Sequence, residues 1–382
     1  VNKVAEVTNK SLTVEVEQRI AVKKNTVFGI QNYDADNAYP QNIEELIASS
    51  GTASSCTEKL ATYIKGEGLK DPNFYKAKIN RKGNTVDQLQ SLVANDGSAF
   101  NGFAIHVNFN LNGKCVEANI IPWPHVRFTW EDEQGCFKVA VYDDWNRVKR
   151  TTINRKKIDY FDLYNPALAV QSMIELGAAN YKGQVYLYTN RPNTYPLSTI
   201  DAVREDVVTD AEIKLFKSRN ITTNFMASHV FTFVGITEEK QQLAKVNELK
   251  KFQGARKGGK IFANFLSKKE EAPVITPVVT NNMDKAYQYT EESTQDNIRQ
   301  RFNIPSILIG KETAGKLGGS AEVVNAIKMY NAHTKNWRMV VEQAFKEIFS
   351  NWETPICPSN DYSTIPVGTG EFASESINTP AA

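Results

Sequence analysis

The sequence predicts an α+β fold, and three observations carry that prediction. Residues 102–188 alternate with period two and are rich in Val, Ile, Phe, Tyr and Trp. Apolar residues recur at helical spacing on both sides of that stretch, and one long helical stripe lies near the C-terminal end. The chain has 382 residues, which at roughly 150 per domain suggests two or three domains. Its 45 Lys and Arg against 43 Asp and Glu leave a formal charge of +2, which excludes a grip on nucleic acid through bulk charge. A composition of 41% hydrophobic and 23% charged residues excludes wholesale disorder. No apolar run approaches the roughly 20 residues of a membrane span, and residues 1–25 lack the apolar stretch of a secretory signal.

The elements follow in chain order. Ala38-Tyr39-Pro40 opens a helical region over 42–64, with Ile43, Leu46, Ile47, Leu60 and Ile64 at its apolar positions and a break near Gly51. Gly66-Glu67-Gly68 stops it. A second helix over 85–95 is expected to end at Asp96-Gly97. Strands are expected over 103–109 and 115–121, joined by a hairpin at Leu111-Asn112-Gly113, then over 126–130, 137–142 and 185–188, with a short helix over 167–176. A long helix follows Tyr195-Pro196, over 197–224, with Ile200, Val203, Val207, Ala211 and Leu215 on one stripe. Next come a strand over 229–234, a helix over 237–252, a strand over 260–266 and a helix over 284–302. After a glycine-rich stretch, Ser320 opens the last helix, whose stripe runs through Val323, Ile327, Tyr330, Thr334, Trp337, Val341, Phe345 and Ile348. The tail from Asn351 has four acidic residues and no Lys or Arg, and is expected to be loosely ordered at its end.

Chemistry-bearing motifs are weak. Cys56, Cys115, Cys136 and Cys357 form no C-x-x-C pair and have no histidine at ligand spacing, so neither a disulfide framework nor a zinc site is expected. His106, His125, His229 and His333 are isolated from one another. Gly254-Ala255-Arg256-Lys257-Gly258-Gly259-Lys260 fits most of a phosphate-binding loop, but Ile261 stands where a magnesium-binding Ser or Thr is needed. The order there is helix, loop, strand, the reverse of what aims backbone N–H groups at a phosphate. Adjacent acids such as Glu44-Glu45 and Glu291-Glu292 do not share a helix face, and Asp143-Asp144 reads as a turn. The expectation is a protein that is not an enzyme and holds no cofactor or metal.

Taken in order, these segments resemble the portal proteins of tailed bacteriophages. The resemblance rests on Tyr195-Pro196-Leu197 opening a long helix, a small module ending at 254–262, and Asp284-Lys285-Ala286-Tyr287-Gln288-Tyr289 leading into 295–302. It continues through Asn303-Ile304-Pro305-Ser306-Ile307-Leu308-Ile309-Gly310, a glycine-rich loop and one long final helix. Ala38-Tyr39-Pro40 and Ile64-Lys65-Gly66-Glu67-Gly68 look like the family's first helices. What the resemblance implies is a portal-type fold with a helical stem, a small α/β clip and a mixed α/β wing. The wing would take 1–195, the stem helices 196–224 and 284–303, the clip 225–283 and the tunnel loop 304–320. Residues 321–350 would form a long wing helix, and 351–382 a tail with little or no crown.

The same resemblance implies a ring of about twelve copies at one capsid vertex of the virion, assembled in the host cytoplasm, as the conduit for packaging and ejection of double-stranded DNA. Its implied partners are further copies of itself, the DNA in the channel, the terminase large subunit, a head-tail connector or adaptor and the major capsid protein, with no membrane. Tunnel-loop residues Lys311, Glu312, Gly315, Lys316, Gly318 and Gly319 would face the DNA. Lys250, Lys251, Arg256, Lys257 and Lys260 of the clip would meet DNA or an acidic partner. A conduit should hold DNA loosely, because each neutralised phosphate adds affinity and drag. A loop with two lysines around Glu312 suits that, as does the chain's near-neutral total. The alternatives are another ring-forming virion adaptor and a nucleotide-binding enzyme using Gly254 to Lys260.

Overall fold

The six-stranded sheet that dominates one half of the protein grows directly out of the period-two stretch. The computed structural model describes residues 22–133, 135–145, 157–191, 194–222, 230–234, 239–243, 262–266, 283–309 and 320–369. In chain order the elements are β1 (Lys23–Asn25), β2 (Ile30–Asn32), α1 (Tyr39–Ser49), α2 (Gly51–Lys65), β3 (Gly68–Leu69), α3 (Pro72–Lys76) and α4 (Val86–Phe100). Then follow β4 (Gly102–Phe109), β5 (Cys115–Ile121), β6 (Val126–Phe128), β7 (Val139–Val141), β8 (Asp159–Leu163), α5 (Ala169–Leu176) and β9 (Gln184–Thr189). The rest is α6 (Arg204–Thr222), β10 (Val230–Val234), β11 (Phe262–Leu266), α7 (Met283–Arg301), α8 (Ser320–Phe349) and β12 (Thr364–Ile365). Helix and sheet are mixed, as an α+β fold requires. The chain divides into two compact units, one of 1–43, 69–197 and 341–362 and one of 44–68, 198–340 and 363–382.

The first unit is built on a sheet of order β5-β4-β9-β8-β7-β6. Its pairings are antiparallel except β8 with β9, which run parallel across the β8-α5-β9 crossover. Phe103, Ile105, Val107, Ala118, Val139 and Val185 fill its core. Strand β8 escapes the sequence pattern because none of Asp159, Tyr160, Phe161, Asp162 and Leu163 is fully buried, so no inward alternation marks it. Helix α4 has the capping box that Thr85 and Gln88 announce, but it runs through Asp96-Gly97 to Phe100 instead of stopping there. Gly97 and Ser98 are buried, so tertiary packing carries the helix past a residue that costs about 1 kcal/mol relative to alanine. It ends at Asn101, in the left-handed conformation with φ 57°. A cluster of edge-to-face rings, Phe74 with Phe345, Phe349 and Tyr362, ties α3 to the last turns of α8 and to the start of the tail.

Arg127 of β6 is fully buried in this unit. Its Nε donates to Asn37 Oδ1 (2.6 Å), Nη1 to the carbonyls of Pro124 (3.0 Å) and Val126 (2.7 Å), and Nη2 to Asn37 O (2.6 Å) and Gln41 Oε1 (3.3 Å). The guanidinium also lies over the rings of Tyr33 and Trp145, 5.6 and 5.3 Å from their centroids. Burial pulls its pKa down to about 10, with the Tyr195 and Tyr33 hydroxyls pulling the other way.

Among its described residues the second unit is mainly helical, with strands β10, β11 and β12 as well. Helices α2, α6 and α7 pack pairwise, with Ala53, Leu60, Val207, Ile213 and Ile298 buried. The break expected near Gly51 is present: Ser50 caps α2, accepting from Ala53 N (3.1 Å) while its hydroxyl donates to Asp210 Oδ2 of α6 (2.6 Å). Arg338 of α8 is buried and donates to Tyr63 O (3.0 Å), Thr334 Oγ1 (2.6 Å) and Asn331 O (2.6 Å). The first part of the tail is built in: Asn331 Nδ2 donates to Val367 O (2.7 Å) and Glu67 N to Ile365 O (2.8 Å). The end of the tail, where loose order is expected, lies outside the described residues.

Gly66 ends α2 at φ +68°, and a Cβ placed there would overlap the Ile365 carbonyl oxygen. Gly66→Ala is therefore expected to cost on the order of 2 kcal/mol, read as a lower melting temperature in calorimetry. An unchanged melting temperature would mean that the 365 strand does not press on the helix end.

Candidate functional site

The expected clip and tunnel loop are flanked in the chain by the segments expected as stem helices, where α6 and α7 lie. The sequence stripe expects one helix from residue 197, but α6 begins at Arg204. Tertiary bonds hold the preceding segment out of the helix. The Tyr195 ring stacks on Tyr33 and Phe128, with centroids 4.0 and 4.4 Å apart, and its hydroxyl donates to Gln31 O (2.6 Å) and accepts from Phe128 N (2.8 Å). Leu197 O accepts from Asn101 Nδ2 (2.9 Å). Proline at 196 also biases Tyr195 away from helical geometry. A single turn at Asp201–Val203 then feeds α6.

Helix α6 is apolar on two opposite sides. Val207 and Ile213 are buried, with Asp210 between them. Val208 and Leu215 point the other way and are 39% and 42% exposed. At about 100° per residue these two sets lie on opposite faces. Leu215, expected on the core stripe, is thus on the outer face, while Val203 is half-buried. Polar ties align α7 against α6: Asn297 Nδ2 donates to Asp206 Oδ1 (3.1 Å), and Lys217 Nζ bonds the Glu291 carboxylate. These ties pair the start of one helix with the end of the other, so the two run antiparallel.

Strands β10 and β11 pair in parallel, from Val230 with Phe262 to Val234 with Leu266. They fall where the sequence places strands of the small module, and residues 239–243 between them are helical. The clip residues Lys250, Lys251, Arg256, Lys257 and Lys260, and with them the phosphate-loop-like Gly254 to Lys260, lie outside the described residues. So do all six tunnel-loop residues, Lys311, Glu312, Gly315, Lys316, Gly318 and Gly319. Their flanks are described. Asn303 takes the left-handed conformation (φ 51°) after α7, Ser306–Ile309 forms one tight turn after Pro305, and α8 starts at Ser320.

The described residues assemble no catalytic group. No set of three or more His, Cys, Asp or Glu side chains among them could hold a metal ion. Cys56, Cys115 and Cys357 are buried and Cys136 is exposed; burial pushes the Cys56 thiol up to about 11, far from a reactive thiolate. His106 is held down by burial while its Nε2 faces Lys182 O at 2.6 Å. A cleft of about 670 Å³ in the sheet unit is lined by Lys78, Arg81, Phe109, Glu117, Met173 and Tyr181 among others, with no nucleophile beside a base. Among the described residues no helix is long and apolar enough to cross a membrane.

No family model and no curated protein matches the sequence. Among solved structures, the fold is similar to a chain in the virion of a native gene transfer agent (GTA) particle. The TM-score is 0.51 at 12% identity, over 82% of this chain and 81% of that one. It is similar also to a chain in the neck of an empty GTA particle computed with C6 symmetry, with a TM-score of 0.53 at 11% identity, over 83% of this chain and 82% of that one. At these identities the likeness is one of fold.

Proposed function

We propose that the chain is the portal subunit of a phage-like particle: a ring at one capsid vertex through which double-stranded DNA is packaged and later ejected. The observation that carries this reading is the fold likeness over more than four fifths of both chains to a component of a GTA virion. The element order supports it: α6 and α7 would be the stem helices, the β10–β11 module between them the clip, the 304–320 segment the tunnel loop, and α8 the wing helix. The two-sided α6 supports the ring, because its outer face keeps apolar side chains that a monomer leaves in water. The protein's work is mechanical. It supplies symmetry, a docking surface for the terminase large subunit and the connector, an anchorage to the major capsid protein, and a weakly basic lining at Lys311 and Lys316.

Negative-stain images of the purified protein are expected to show rings with a central hole. Deleting 311–319 is expected to leave those rings intact while DNA packaging or retention falls by an order of magnitude or more. Loss of ring assembly in the deletion variant would remove the loop from the channel. A second reading, an adaptor ring of the neck, is favoured by the similar chain found in a GTA neck. The terminase large subunit separates the two, since it is expected to bind a portal ring and not a neck adaptor.

A further inference from the structure

The outer face of α6 carries more than exposed apolar side chains. Glu205, Val208, Glu212 and Leu215 follow one another at spacings of three, four and three residues, which places them on one seam, and all four are exposed. Helix α8 presents a seam of similar length and opposite sign in its part before Val341. Lys328, Ala332, Lys335 and Met339 follow at four, three and four residues, and all are exposed. Met329, beside them, is 69% exposed and Met339 is 53% exposed. From Val323 to Val341 there is no acidic residue. The two carboxylates and the two lysines are each seven residues apart, about 10 Å along a helix axis, so two ion pairs can form at once. None of the four has an ion-pair partner among the described residues.

We infer that the Glu205–Leu215 face of α6 in one copy docks on the Lys328–Met339 face of α8 in the next copy of this chain. The inference rests on the ring reading and deepens it by naming the contact. Contact between like faces would set glutamates against glutamates or lysines against lysines, so charge selects contact between unlike faces, the pairing a head-to-tail ring repeats. Two different faces joined head to tail add copies in one rotational sense, and they close into a ring when the rotation divides a full turn. The methionines suit such a contact, since an unbranched thioether fills irregular gaps between helices.

The test is charge reversal on either face, read by mass photometry of the purified full chain at moderate salt. Glu205→Lys/Glu212→Lys and, separately, Lys328→Glu/Lys335→Glu are each expected to shift the assembly midpoint at least tenfold toward monomer. Circular dichroism should stay unchanged, because all four side chains are at the surface. Mixing the two variants in equal amounts is expected to restore assembly, since each variant's altered face then meets its complement. Two results would overturn the contact while leaving the ring reading standing: both variants assembling like the wild type, or the mixture failing to recover. A wild-type chain that stays monomeric at every concentration and salt tried would remove the ring reading, and the contact with it.

Discussion

Arg127→Ala is expected to destabilise the sheet-bearing unit by about 3–5 kcal/mol, enough to lower its melting temperature by roughly ten degrees. Two effects add. The substitution leaves a cavity between Tyr33 and Trp145. It also removes the donors to five acceptor sites, on Asn37, Gln41, Pro124 and Val126; Asn37 Oδ1 keeps Tyr33 N and Pro124 O keeps Gln41 Nε2, and the others lose a partner at a desolvation cost. All five guanidinium N–H groups are used in that array, so Arg127→Lys is expected to recover little: an ammonium cannot reach both the Asn37 carbonyl and the Pro124–Val126 pair. Arg127→Met separates packing from hydrogen bonding, because it refills volume without donors. Thermal melts of the three variants check the argument, and a methionine variant more stable than wild type would show that the buried cation is a net cost in this unit.

The second large effect lies in the helical unit, at Asp210. Its carboxylate is fully buried and accepts from Ser50 Oγ (2.6 Å) and Lys214 Nζ (2.7 Å), so it joins α6 to the capped start of α2. Burial alone would raise its pKa, but the hydrogen bonds and charge of Lys214 and Ser50 outweigh burial and hold it below the ordinary carboxylate value. A folded-state pKa below the unfolded one means the stabilisation is fully present above about pH 4 and is lost as pH falls through the folded value. Asp210→Ala is expected to cost about 2–3 kcal/mol at neutral pH, and Asp210→Asn somewhat less. In acid titrations followed by circular dichroism, the difference between wild type and Asp210→Asn should shrink below pH 4. A constant difference across that range would exclude the ionised carboxylate as its source.

Neither Arg127 nor Asp210 is visible as a structural residue in the sequence. Arg127 sits in Val126-Arg127-Phe128, where alternation makes a charged residue between two apolar ones look solvent-facing; all three are buried. Asp210 falls on the apolar side of α6, between Val207 and Ile213, where the pattern reads as an interruption. The opposite error occurs at Leu215, which spacing assigns to the core and the fold leaves outside. The signals that do survive are local ones. The helix expected from 85 starts there as α4, Asn112-Gly113 marks the β4–β5 hairpin, and the α8 stripe puts Tyr330, Thr334, Val341, Phe345 and Ile348 inside. Glu205, Glu212, Lys328 and Lys335 stand in no sequence motif; only the fold shows which of the charged positions on α6 and α8 are left exposed along one face.

The sequence by itself determined the α+β class, most element positions and the starts of α4 and α8, because caps, turn residues and periodicity act over three or four neighbouring residues. Only the tertiary structure decided the β5-β4-β9-β8-β7-β6 order with its one parallel pairing, the continuation of α4 past Gly97 and the late start of α6. It also decided which charged side chains are enclosed and which apolar ones are left exposed. Those outcomes depend on hydrogen bonds and packing between residues far apart in the chain, such as Tyr195 with Gln31 or Arg127 with Asn37. Local spacing carries no information about such partners.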